Sequence, residues 1–163
     1  AQLTLELWNV SQVRRPLHVF VPQGKAQIRP YANEGNSIRL KDALVHQSST
    51  LPVKIPSGSE LDGAAAIDWS RIECQKPAHF KFGLLVSQGL LLSTHPGPDL
   101  DRPVCWLRRF PATQGPLQHN AQIEIYNSKE MDYAELEVHA PSSELALGQK
   151  TSFHQDWLFW QNL

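Results

Sequence analysis

The chain lacks most of the patterns that announce a chemistry. Only two of its 163 residues are cysteine. Cys74 and Cys105 form no CxxC pair, so neither a cysteine zinc site nor a thioredoxin-like motif is present. They read either as a disulfide or, more plainly, as two buried thiols in a reducing compartment. The seven histidines, at 18, 46, 79, 95, 119, 139 and 154, form no HxH or HExxH pattern, and zinc catalysis has no support. Ser142 and Ser143 lie in no GxSxG elbow, and neither a P-loop nor a GxGxxG appears. These absences argue against hydrolase, nucleotidase and dehydrogenase chemistry, and no cofactor is implied. Cationic excess is missing too, with 15 Lys and Arg against 16 Asp and Glu. Phosphate-backbone binding needs such an excess, so no nucleic-acid partner is expected. Long apolar runs are also missing. The longest cluster, Phe82 to Leu92, is interrupted by Gly83, Ser87, Gln88 and Gly89, and no membrane partner is expected.

Short punctuated segments fill the chain instead. Twelve prolines and nine glycines are spread throughout, and apolar or alternating stretches lie between them. Strands are expected near Leu3–Trp8, Leu17–Val21, Ala26–Arg29, Ser37–Leu40, Pro52–Ile55 and Ile72–Cys74. More are expected near His79–Leu85, Leu90–Thr94, Val104–Phe110, Gln122–Tyr126, Tyr133–His139 and Thr151–Trp160. Many short strands with turn signals indicate an all-β antiparallel sandwich, a single domain over residues 1–163. No long amphipathic helix competes. Leu61–Trp69, capped by Asp62, is the best helical turn.

Two hairpins stand out. Ser87-Gln88-Gly89 separates two apolar runs within Phe82–His95, which suits a tight turn with Gly at positive φ. In Gln122–His139, residues Asn127 to Asp132 connect two alternating strands. Ile123, Ile125, Ala134, Leu136 and Val138 share one face; Glu124, Tyr126, Tyr133, Glu135, Glu137 and His139 share the other. Pairing Tyr126 with Tyr133 would set Glu124 opposite Glu135. Facing like charges need compensation, from water, a ligand or the nearby Arg108 and Arg109. The face reads either as the solvated side of a half-exposed sheet or as a carboxylate-lined sugar cleft. Glu137 and His139, two residues apart on one strand, point the same way.

The C-terminal order Tyr133-Ala-Glu-Leu-Glu-Val-His-Ala-Pro141, then Glu144-Leu-Ala-Leu-Gly148, then His154-Gln-Asp-Trp-Leu-Phe159, resembles the end of galactose-mutarotase-like proteins. It is most similar to an uncharacterised branch reading roughly "YxELE…P…L.PGE…W.L". Leu7-Trp-Asn-Val-Ser-Gln-Val13 resembles that branch's "W-x-V-T-Q" strand, and Phe80-Lys-Phe-Gly83 its "K-x-G" strand. The resemblance implies a β-supersandwich of which this chain is the second half. A lone half would leave a sheet edge or face uncovered, for a second copy or another chain to cover. It also implies a carbohydrate ligand and, in the aldose-epimerase (isomerase) members, a glutamate base in an "LE-x-Q" strand. Leu136-Glu137-Val138-His139 matches at Leu and Glu, with His139 where Gln is usual. The family's acid histidine belongs to an "NHxYF" segment; the comparable Trp8-Asn9-Val10-Ser11-Gln12 has none, and His79, His95 or His139 would have to substitute.

The candidate catalytic residues are therefore Glu137 and His139. The candidate sugar-binding residues are Trp8, Asn9, Lys81, Arg109, Glu124 and Glu135, with no metal. Trp8 shares a polar-looking face with Thr4 and Glu6, where an indole would stack on a sugar; core packing is the ordinary role of any one tryptophan. Lys81, between two phenylalanines, faces either solvent or a cleft. The loop His95-Pro-Gly-Pro-Asp-Leu-Asp101 reads as a surface turn or a cleft rim. Two functions follow: a carbohydrate-binding, mutarotase-like domain acting as a sugar epimerase, or a non-catalytic β-sandwich module that associates with itself or another chain.

Overall fold

A computed structural model describes residues 2–23, 25–28, 45–48, 51, 53, 56, 67–95, 102–113 and 115–161. Within them the chain is all-β with antiparallel pairing. No helix among the described residues is long and apolar enough to cross a membrane. The strands are β1 (Gln2–Leu5), β2 (Trp8–Arg14), β3 (Leu17–Pro22), β4 (Lys25–Ile28), β5 (Val45–Ser48), β6 (Trp69–Cys74), β7 (Phe80–Leu85), β8 (Leu90–His95), β9 (Val104–Arg109), β10 (Ile123–Asn127), β11 (Tyr133–His139), β12 (Ser143–Ala146) and β13 (Asp156–Gln161).

Two larger sheets carry the fold. One runs β2-β11-β10-β7-β4; the other runs β13-β9-β8-β3-β6-β5; β1 and β12 pair separately. Alternation decides which side chains meet between the sheets. Ile123, Ile125, Phe82, Leu84, Leu136 and Val138 from the first sheet join Leu17, Val19, Val21, Ile72 and Leu91 from the second in one buried cluster. The second sheet has apolar residues on its other face as well. There Phe20, Trp69, Leu90, Leu92, Cys105 and Leu107 pack under Leu51, Val53 and Ile67. Cys74 belongs to the first cluster and Cys105 to the second, so the two thiols occupy opposite faces of one sheet and are free. Burial pushes Cys74 up to about 12 and Cys105 up to about 11.

Several expectations are corrected here. Phe82–His95 is not a hairpin. β7 lies in the first sheet and β8 in the second, so Ser87-Gln88-Gly89 is an arch between layers. Gly89 is required by close approach, because a Cβ there would fall 1.8 Å from the Phe110 carbonyl oxygen. The β10–β11 hairpin forms, but two residues away from the expected register: Glu124 faces Glu137, and Tyr126 faces Glu135. A shift of two preserves the faces. The expected first strand breaks into β1 and β2, and Thr151–Trp160 is extended only as Asp156–Gln161. Residues 37–40, 61–66 and 96–101 lie outside the described residues, and of 52–55 only Val53 is described.

Candidate functional site

The face of the first sheet turned away from the core carries the polar residues of β11, β10 and β7. Register brings Glu124 of β10 directly opposite Glu137 of β11. Both are buried, Glu124 completely and Glu137 to 7% exposure. Two facing carboxylates out of water repel each other and lose hydration, so this pairing needs a cation. Lys81 supplies it from β7. Its Nζ lies 2.7 Å from Glu124 Oε2 and 3.1 Å from Glu137 Oε1. Register sets Lys81 beside Tyr126 and Gly83 beside Glu124. Lys81 therefore reaches diagonally along the face.

Two imidazoles complete the cluster. His139 lies two residues beyond Glu137 on the same face and is 2% exposed. Its Nε2 is 3.5 Å from Glu137 Oε2 and 3.9 Å from Glu124 Oε2. Neither ring nitrogen makes a hydrogen bond of ordinary geometry. His119 comes from a 3-10 turn, Gln118–Asn120, and its Nδ1 lies 3.0 Å from Glu124 Oε1. Its side chain is half exposed. His119 and Asn120 both have left-handed backbone, with φ of 58° and 52°. Such backbone is tolerated by His and Asn better than by most residues.

The charges couple these groups. Burial works to raise Glu137, but the His139 contact and the Lys81 charge outweigh it and hold the carboxyl below the usual range. Burial works to lower Lys81, but hydrogen bonding to Glu124 and the charges of both glutamates outweigh it, so the ammonium is held above its ordinary value. Glu124, Glu137 and His139 could hold a metal ion, each offering one ligand atom within 4.8 Å of the others. A divalent ion would have to displace Lys81, which already bridges the two carboxylates.

Trp8 stands at the rim. It pairs with His139 across β2 and β11 and stacks on that ring, with centroids 6.3 Å apart and planes 11° from parallel. The structure thus gathers Glu124, Glu137, His139, Lys81 and Trp8. Glu135 shares their face but lies farther along it, accepting a hydrogen bond from Gln12 Nε2 at 3.3 Å. Asn9 alternates to the opposite side of β2, where Oδ1 accepts from Ser11 Oγ at 3.0 Å. Arg109 is in the other sheet and donates from Nε and Nη2 to Asp156. Arg108 does not reach the glutamates either. It is fully buried between the sheets, donates from Nη1 to the Leu136 carbonyl and Ser11 Oγ, and lies 4.3 Å over the Trp106 ring. Burial pushes its pKa down to about 9.

Sequence reasoning missed His119. It approaches Glu124 from a loop, five residues away and without strand periodicity. The only local signal is the His119-Asn120 pair, two residue types that accept left-handed backbone. No family model, curated protein or solved structure matches the chain.

Proposed function

We propose that the chain binds a sugar on this polar sheet face and interconverts its anomers, as a galactose-mutarotase-like domain would. The observation that carries the reading is the buried, directly facing pair Glu124–Glu137, bridged by Lys81 and adjoining His139. Such a pair is costly to fold, and a well-packed apolar pair would serve stability as well or better. Proton transfer gives it a use. Ring opening needs a base at the anomeric hydroxyl and an acid at the ring oxygen. Those two oxygens share one carbon, so base and acid must stand close together, as Glu137 and His139 do. Ionised Glu137 takes the hydroxyl proton, and the C1–ring-oxygen bond breaks. Protonated His139 gives its proton to the ring oxygen, leaving a free aldehyde. Rotation about the C1–C2 bond and the reverse steps deliver the other anomer. Lys81 is a poor acid because its ammonium is stabilised; it pairs with both carboxylates and holds them in place. Trp8, half exposed, offers an indole face for the sugar's apolar C–H groups. The supersandwich assignment belongs to the same proposal and is supported by two stacked antiparallel sheets and the C-terminal motif order.

The test is a saturation-transfer NMR screen with aldoses, followed by polarimetric anomerisation. Binding with accelerated anomerisation is expected, and Glu137→Gln should lose about 10²–10⁴-fold in rate. Binding without acceleration, or an unaffected Glu137→Gln variant, would remove catalysis. The second reading, a non-catalytic module that pairs with itself or another chain, draws on β13, where Trp157 and Phe159 are 49% and 58% exposed. A concentration-dependent mass by sedimentation, without sugar binding, would favour it.

A further inference from the structure

Glu124, Glu137 and His139 share no sequence motif. Glu137 and His139 come from β11 and Glu124 from β10, so strand pairing alone brings them together. All three are buried, and one ligand atom from each lies within 4.8 Å of the others. His139 Nε2 is 3.5 Å from Glu137 Oε2 and 3.9 Å from Glu124 Oε2. A tetrahedral ion bound at about 2.0–2.1 Å by imidazole nitrogen and carboxylate oxygen sets its ligand atoms about 3.4 Å apart. The three side chains therefore stand near the spacing of a metal ligand set, and wider than ordinary hydrogen-bond partners.

His139 is the observation that points to a ligand. It is 2% exposed, and neither ring nitrogen has a hydrogen-bond partner among the described residues. A buried imidazole left so loses its hydration and gains nothing in exchange. A metal–nitrogen bond at Nε2 would satisfy it. Glu124 is steadied through its other oxygen, where His119 Nδ1 meets Oε1 at 3.0 Å and leaves Oε2 toward His139. Outer contacts of this kind orient a ligating carboxylate.

The donor set is one nitrogen and two carboxylates, without sulfur. Calcium takes roughly six to eight oxygens, and magnesium also prefers oxygen, whereas imidazole suits zinc and its first-row neighbours. The competitor is Lys81, whose Nζ bridges the two carboxylates at 2.7 Å and 3.1 Å. Its side chain is 17% exposed, and its long flexible stem gives the ammonium a route to water. We infer that Glu124, Glu137 and His139 form a binding site for a first-row divalent ion of the zinc class, which takes the place of the Lys81 ammonium between the carboxylates. The site does not depend on the sugar reading. An ion held by Glu137 and His139 occupies the groups that anomerisation uses, so it would inhibit that reaction rather than serve it.

Isothermal titration of the chelator-treated full chain with zinc chloride, without sugar, tests the site. One zinc ion per chain should bind at about micromolar concentration or tighter. His139→Ala should weaken binding by more than about 100-fold. Lys81→Met should bind zinc about tenfold more tightly than the unmodified chain, because the competing ammonium is gone. Zinc should also raise its urea midpoint by more. Lys81→Gln replaces it should Lys81→Met fail to fold with or without zinc. Cobalt should give visible d–d absorption that His139→Ala abolishes. No zinc binding, or binding that His139→Ala leaves unchanged, would overturn the inference. So would binding lost in His154→Ala, which alters an exposed imidazole elsewhere, or equal affinities with and without the Lys81 ammonium. None of these results bears on sugar binding, so either reading can fail alone.

Discussion

Glu135 and Glu137 are two residues apart on β11, on one face of one sheet, yet their surroundings differ. Glu135 is partly exposed, faces Tyr126 on one side and Gln12 on the other, and accepts a single side-chain hydrogen bond at 3.3 Å. Glu137 is buried, faces Glu124, and touches both Lys81 and His139. The difference comes from what lies across the strand and above it. One end of the face meets water. The other meets a lysine from β7 and an imidazole-bearing turn. A carboxylate's cost and its chemistry follow from those neighbours rather than from its own position in an alternating pattern.

The largest expected effect comes from removing Lys81, the cation that bridges Glu124 and Glu137. Lys81→Met removes the ammonium that bridges two facing buried carboxylates, and urea denaturation should show a loss of about 3–5 kcal/mol. Adding Glu124→Gln to that variant should recover a substantial part, because one charge then remains where there were two. If Lys81→Met costs no more than a surface substitution, the cluster is not the coupled unit described above.

Glu137→Gln comes next, at about 1–3 kcal/mol near neutral pH, since it weakens charge-assisted contacts to Lys81 and His139. Its pH dependence sharpens the contrast. Glu137 is held below its ordinary value of 4.5. Its contribution is therefore fully present above that value and is lost as pH falls through the folded value. The gap between the unmodified chain and Glu137→Gln should narrow on acidification below about pH 4.5, measured by urea midpoints at successive pH values. Lys81 is held above 10.5. Its contribution is present below that value and fades as pH rises through the higher, folded one.

Much of this layout was legible from residue pattern, and the failures have physical reasons. Alternation in Gln122–Tyr126 and Tyr133–His139 gave both strands, within a residue of the observed bounds, and both faces, because the side-chain period is two. It did not give the register. The expected pairing was off by two, which changes no face but replaces Glu135 with Glu137 as the partner of Glu124. Ser87-Gln88-Gly89 carries the residues of a tight turn, and nothing local says that the chain passes from one sheet to the other. Gly89 is needed because the Phe110 backbone, twenty-one residues on, crosses there. Lys81 was placed by its pattern on either solvent or a cleft, and only the neighbouring strand decides between them. His119 had no periodicity to reveal it. Long-range pairing is the common cause: strand identity is local, whereas the neighbour across a sheet is not.

The smallest expected effect is also the sharpest check on the comparison. Glu135→Gln keeps the shape of the side chain and leaves Gln12 a partner across β2 and β11. The contact it alters is exposed and long, and such contacts contribute little. Its stability near neutral pH should stay within about 0.5 kcal/mol of the unmodified chain. Sugar affinity should respond less than it does to Glu137→Gln, because Glu135 lies beyond Glu137 from the Trp8 rim. Matching losses in Glu135→Gln and Glu137→Gln would mean that the whole strand face acts as one solvated surface. The buried cluster would then be an accident of packing, and the distinction between the two glutamates would fail at the position where it is easiest to measure.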